Sequence, residues 1–194
     1  APRRLGDELV LGRVEDDASE PAWNPYRLAE SYKPFFFQTG KVVSRWTEDG
    51  PQAGPPPRPR ALLGVKACDL KALQVIDAVF RNHEFQEPSW GAARDANLVI
   101  AGDCTDCADS CFCTLLDDKP WPEGGYDLSL TPTNRGYLVD VGSTKGEAQV
   151  ATHATLFREA PAGAAEARDA ARSELSARLE SLNARYRTRD PLET

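Results

Sequence analysis

A chain of 194 residues with 41% hydrophobic content holds one ordinary domain, with or without a trailing arm, and enough apolar material to bury a core. Its 30 Asp and Glu against 23 Lys and Arg leave a formal net charge of -7, which argues against a nonspecific electrostatic grip on nucleic acid. No stretch approaches the run of about 18 apolar residues that a membrane helix requires, and Ala1-Pro2-Arg3-Arg4-Leu5-Gly6-Asp7 lacks the apolar core of a signal peptide, so a cytoplasmic chain without a transmembrane segment is expected. Methionine is absent, initiator included, and a processed, truncated or partial N-terminus is the expectation.

Residues 1–31 carry no clear period and read as an irregular N-terminal arm, attached to the body through Trp23, Tyr26 and Leu28. Phe35-Phe36-Phe37 and Lys41-Val42-Val43 resemble short buried strands interrupted at Thr39-Gly40. The Pro-rich stretch from Gly50 to Pro59 cannot donate ladder hydrogen bonds and reads as an exposed loop. A regular pattern then begins. Ala61 to Val65 is an apolar run of strand length, and Asp69 reads as an N-cap before Leu70, Leu73, Ile76, Val79 and Phe80 on one helical face. After an irregular crossing through Pro88-Ser89-Trp90-Gly91, Asn97 to Ala101 is a second buried strand, so a parallel right-handed unit is predicted. Leu128–Leu130 and Tyr137–Val141 read as a hairpin added to that sheet. Ala162 to about Arg187 reads as a C-terminal helix with a narrow stripe of Leu175, Leu179, Leu182 and Tyr186, laid either on its own domain or on a partner. The predicted class is α/β: a small mixed sheet with a strand-loop-helix unit, cysteine-bearing loops at strand ends and a C-terminal helix. The predicted divisions are an arm over 1–31, a cluster-binding domain over 32–160 and a helix with tail over 161–194.

Cysteine usage narrows the function. Five Cys leave a thiol over from any set of internal disulfides, and four of them crowd between Cys104 and Cys113. Without a secretory signal, clustered thiols favour metal or redox chemistry over stapling of loops. Cys68 follows the first buried strand and Cys104 the second, so both stand at the carboxyl ends of parallel strands, where open α/β sheets gather ligands. Cys111 and Cys113 flank Phe112; in an extended segment they face one side about 6.6 Å apart, at ~3.3 Å per residue. That separation suits two corners of an iron-sulfur cube, with Phe112 turned into the core or across the cluster as a water shield. Lys66 and the N-terminus of the helix beside Cys68 add positive charge against clustered thiolates.

Spacing alone leaves the metal open. The pattern differs from the compact C-x2-C-x2-C-x3-C run, and Cys104-Thr105-Asp106-Cys107 is a knuckle of the kind zinc prefers. A zinc-structured interaction module is therefore the alternative to an iron-sulfur site, with unligated redox-active thiols or a disulfide behind both. His83 and His153 stand alone and read as surface or packing residues. No Ser, His and acid grouping suggests a hydrolase, no Gly-rich loop follows either strand, and no substrate turnover by the chain itself is expected.

Several segments occur together in the order of a known family: Tyr32-Lys33-Pro34-Phe35-Phe36-Phe37, Leu63-Gly64-Val65-Lys66-Ala67-Cys68-Asp69-Leu70, Cys104 with Cys111-Phe112-Cys113, Gly125 to Thr131 and Val141-Gly142-Ser143. Over about residues 32 to 146 the chain resembles the N-terminal domain of the iron-sulfur beta subunit of soluble sulfhydrogenases, a family shared with the corresponding iron-sulfur subunit of anaerobic sulfite reductase. The resemblance implies an additional [4Fe-4S] cluster with Cys68, Cys104, Cys111 and Cys113 as ligands and Cys107 as a spare. It also implies an electron-transfer role in a multisubunit oxidoreductase, between flavin- and iron-sulfur-containing subunits and a hydrogenase or sulfite-reducing site. In that family two ferredoxin-type cubane motifs follow this domain. No C-x2-C-x2-C-x3-C run occurs in this sequence, so the dicluster part is expected either to be missing from this chain or to reside in another subunit.

Overall fold

Apolar runs with no polar interruption form strands covered on both faces, and two such runs begin the central sheet. The computed structural model describes residues 1–14, 21–37, 40, 42–84 and 86–187. Strands β1 (Pro2–Leu5) and β2 (Glu8–Leu11) form an antiparallel hairpin, and β3 (Ser44–Thr47) and β4 (Gly50–Ala53) form another. The main sheet runs in the order β5 (Ala61–Val65), β6 (Leu98–Gly102), β7 (Leu128–Thr133), β8 (Gly136–Val141). β5, β6 and β7 are parallel, and β8 returns antiparallel on β7. The mixed α/β sheet, the parallel pair and the added hairpin are as the sequence predicts.

Helix α1 (Ala67–Phe80) and helix α2 (Pro88–Ala96) connect β5 to β6. α1 buries Leu70 and Leu73 and leans Ile76 and Phe80 on the same core, while Val79 is exposed. Asp77 joins the two helices: its carboxylate accepts from Trp90 Nε1 at 2.7 Å and from Arg94 Nη2 at 2.9 Å. Tyr32, Phe36, Leu62, Val65, Trp90, Val99 and Ala101 complete the core. The Tyr-Lys-Pro-Phe segment thus serves packing, with the Tyr32 hydroxyl donating to the Leu63 carbonyl at 2.6 Å.

Five local expectations need correction. The N-terminal arm contains the β1–β2 hairpin and is not wholly irregular. Lys33–Phe35 is a 3-10 turn with Pro34 in its first positions, where a missing N–H costs nothing, rather than a strand. Val42 and Val43 lie outside any strand, and Thr39 and Lys41 lie outside the described residues. Pro51 does enter a strand, on a two-stranded ribbon opposite Trp46 where it need not donate to a ladder. Pro88-Ser89-Trp90-Gly91 opens α2 instead of an irregular crossing, since Pro suits the first helical position and the Glu87 carboxylate accepts from the Trp90 N–H.

Helix α3 (Thr144–Thr152), absent from the sequence reading, is capped by Ser143, whose Oγ accepts from Gly146 N at 3.2 Å. Helix α4 (Ala164–Arg187) lies on the body of its own chain, with Leu175 and Leu179 buried and Tyr186 exposed. That resolves the stripe at its first two positions in favour of packing within the domain. No helix of the described residues is long and apolar enough to cross a membrane.

Candidate metal centre

β5 ends at Val65 and β6 at Gly102, so the segments leaving them emerge at the same edge of the sheet. The first passes directly into α1. Lys66, not Asp69, occupies the N-cap, and Cys68 sits inside the first turn of the helix rather than before it. Asp69, one residue on, is buried and paired with Arg27 at 3.1 Å. The second segment, residues 103–127, carries the other four cysteines. Cys104 follows Gly102 by two residues, and its N–H donates to Pro120 O at 2.9 Å. Cys113 begins a 3-10 turn through Leu116. Cys111–Cys113 is therefore not an extended strand, and Phe112, 58% exposed, does not enter the core.

The Cys104 thiol nevertheless feels the other three expected ligands electrostatically. Burial foremost pushes the Cys104 thiol up to about 12; Lys66 opposes the rise, and Cys68, Cys113 and Cys111 each add to it. Desolvation, then the Asp69 carboxylate, lifts Cys68 to about 11, with Cys113 contributing; Cys68 itself is exposed, and water screens part of that rise. Cys113 is raised by burial, against a lowering backbone N–H contact at Thr114, and again by Cys111. These mutual effects place Cys68, Cys104, Cys111 and Cys113 in one electrostatic neighbourhood. The groups acting on Cys107, besides its own burial, are Arg178, Cys111, Asp106 and Asp109. All five are free thiols. Among the described residues no three His, Cys, Asp or Glu side chains could together hold a single metal ion.

Positive charge and N–H donors face this group. Lys66 is fully buried; its Nζ donates to Asp103 O at 2.7 Å and lies 4.3 Å from the centre of the Trp23 ring. Burial lowers the Lys66 amine to about 8, and the neighbouring Cys104, Asp103, Cys68 and Asp69 oppose that fall. The Ala108 N–H donates to Cys111 Sγ at 3.3 Å, and the first turn of α1 presents its own amide groups beside Cys68. Burial raises the Cys68 and Cys104 thiols, so forming thiolates at these two positions calls for compensating positive charge. Thiol chemistry, the buried Lys66 amine and the N–H contact to Cys111 Sγ are compatible with a thiolate-ligated centre, but the side chains as placed do not form a metal-binding group among the described residues.

Residues the sequence did not single out build the surroundings. Asp103, 2% exposed, accepts from Thr131 Oγ1 at 2.8 Å and from Arg172 Nε at 2.7 Å. Trp23, expected only as an attachment point, covers Lys66 and packs on Tyr137 with ring centroids 5.4 Å apart. A Cβ on Gly102 would come within 2.3 Å of that indole, so the small residue is what admits it. His83 and His153 are absent from the site's interactions.

Over 96 residues the chain is 28% identical to the protein named Sulfhydrogenase 2 subunit beta from Pyrococcus furiosus; the match takes in 50% of this chain and 28% of that protein's length. The chain is thus a distant, partial relative of a hydrogenase subunit. No protein-family model matches it, and no solved structure matches it.

Proposed function

We propose that this chain is an electron-transfer component of a cytoplasmic multisubunit oxidoreductase of hydrogenase or sulfite-reductase type, holding one [4Fe-4S] cluster through Cys68, Cys104, Cys111 and Cys113. The observation that carries this reading is that the Cys68- and Cys104-bearing segments leave the same end of the parallel pair β5–β6, with the buried Lys66 Nζ donating to the carbonyl of Asp103, the residue before Cys104. Such a cluster supplies one-electron redox chemistry when bound. In this reading the four cysteines hold it, and Lys66, with the α1 amides, offsets its negative charge. The relationship to a sulfhydrogenase beta subunit supports the same assignment. Residues 32–160 form the cluster domain in this reading. Flavin- and iron-sulfur-containing subunits deliver and remove the electron at the edge where Cys68, Phe112 and Leu116 are exposed.

Metal and sulfide analysis of protein reconstituted anaerobically tests the assignment. Four iron and four acid-labile sulfide per chain, with a brown colour that bleaches on reduction, is the expected result. Stoichiometric zinc without sulfide in protein from its native source would replace this reading with a structural zinc module.

A further inference from the structure

Polar contacts of α4 fall on the cysteine-bearing segment at Asp103, Asp106 and Thr114; the exposed Arg178–Asp106 pair lies beside Cys107, while the two enclosed contacts adjoin Cys104 and Cys113. Arg172 grips the Asp103 carboxylate with two parallel bonds, Nε to Oδ2 at 2.7 Å and Nη2 to Oδ1 at 3.0 Å. Asn183 donates from Nδ2 to Thr114 Oγ1 at 2.9 Å. Asp103 precedes Cys104 in the chain, and Thr114 follows Cys113. Each partner is nearly enclosed: Asp103 is 2%, Thr114 4% and Asn183 1% exposed. Between the two contacts, on the same helix, Leu175 and Leu179 are buried.

We infer that α4 is a clasp, with Arg172 and Asn183 as positioning residues that set Cys104 and Cys113 before any metal arrives. The physical reason is geometric. A forked guanidinium and a planar carboxylate joined by two bonds define an orientation as well as a distance. Asp103 is further held by the Thr131 hydroxyl at 2.8 Å, and its carbonyl accepts from Lys66 at 2.7 Å, so rotation of the backbone entering Cys104 is opposed on several sides. Asn183 does the same for the turn that begins at Cys113, helped by Arg187 Nη2 donating to Thr114 O at 2.6 Å. A helix whose contacts reach 69 residues back in sequence thereby controls two of the four thiols. The inference rests on the four-cysteine reading for its purpose, but the clasp contacts themselves involve no cysteine side chain.

The test reads individual thiols in the metal-free protein by timed alkylation and peptide mass spectrometry. Asp103→Asn combined with Arg172→Gln removes the fork while leaving the pair's net charge at zero. Cys104 should react at least about tenfold faster than in the unsubstituted protein, with Cys107 unchanged; loss of such outer contacts typically weakens metal sites by about 10–100-fold. Asn183→Leu should speed Cys113 in the same selective way. Arg172→Lys, which retains the charge without the fork, should restore only part of the protection and serves where the double variant fails to fold. Ser143→Ala, at the opposite edge of the sheet, should leave every thiol rate unchanged. In iron-loaded protein the clasp variants should lose iron to a chelator about tenfold faster. Unchanged Cys104 and Cys113 rates in folded variants, or equal acceleration of all five thiols, would overturn the clasp. Failure of the unsubstituted protein to take up iron would instead overturn the cluster assignment, and the alkylation pattern would still decide the clasp.

Discussion

Asp127, in the Tyr-Asp-Leu segment, should be among the most costly residues to remove, because it finishes a ladder the backbone leaves open. β7 begins at Leu128, opposite Ile100, so the Val99 N–H of β6 has no strand neighbour on that side. The Asp127 carboxylate takes that place: Oδ2 accepts from Val99 N at 2.7 Å, and Oδ1 accepts from Ser143 Oγ at 2.5 Å. Lys145 Nζ lies 3.4 Å from Oδ2 but is 43% exposed, so that ion pair contributes little. Asp127→Ala orphans a buried amide, at about 1–3 kcal/mol, and removes a charge-assisted bond worth about 1.5–3 kcal/mol. A loss of about 3–5 kcal/mol follows, with Asp127→Asn at roughly half, since the amide retains one acceptor. Urea unfolding of the reduced, metal-free protein measures it, with an unchanged slope confirming that stability alone has moved. Ser143→Ala should cost about 1 kcal/mol for its cap, and the double variant should cost less than the sum, because the two side chains share a bond. A loss below about 1 kcal/mol for Asp127→Ala, or strict additivity with Ser143→Ala, would refute this account of the sheet.

Serine in place of Cys68, Cys104, Cys111 or Cys113 should lower or abolish iron uptake after anaerobic reconstitution, whereas Cys107→Ser should retain the full iron content; elemental analysis reads both. Gly64→Ala should destabilise by about 2–4 kcal/mol, since Gly64 has φ +80° and its Cβ would lie 2.4 Å from Asn24 Oδ1. Limited proteolysis should then show the N-terminal segment released first. Leu179→Ala, at a site 1% exposed, should cost about 2–5 kcal/mol in the same unfolding assay and expose α4 to early cleavage.

Where residue type alone specified an element, the sequence was readable. The runs Ala61–Val65 and Leu98–Gly102 contain no polar or charged side chain, and α1 and α4 carry long enough periods to declare themselves. Short elements were hidden by the residues that begin them. Pro88 and Gly91 resemble loop punctuation, yet Pro suits the first turn of α2 and Gly91 faces open space. Three consecutive Phe resemble a strand, but Pro34 turns the chain and Phe36 alone of the three is fully buried. At the site, strand-end position singled out Cys68 and Cys104, whereas the choice of Cys111 and Cys113 over Cys107 came from the family resemblance. Burial of Lys66 and the Asp103–Arg172 fork could not be read: a charged residue normally signals solvent, and the fork joins positions 69 apart with no local pattern to connect them.

The central claim is that four particular thiols, and not the fifth, hold one cluster. Alkylation of the iron-loaded protein under anaerobic, non-denaturing conditions, followed by peptide mass spectrometry, tests it most directly. Cys107 should be modified to completion while Cys68, Cys104, Cys111 and Cys113 stay protected, and all five should react once the cluster is stripped with a chelator in denaturant. Protection of Cys107 together with modification of any one of the other four, or modification of all five in protein that retains its iron, would contradict the assignment.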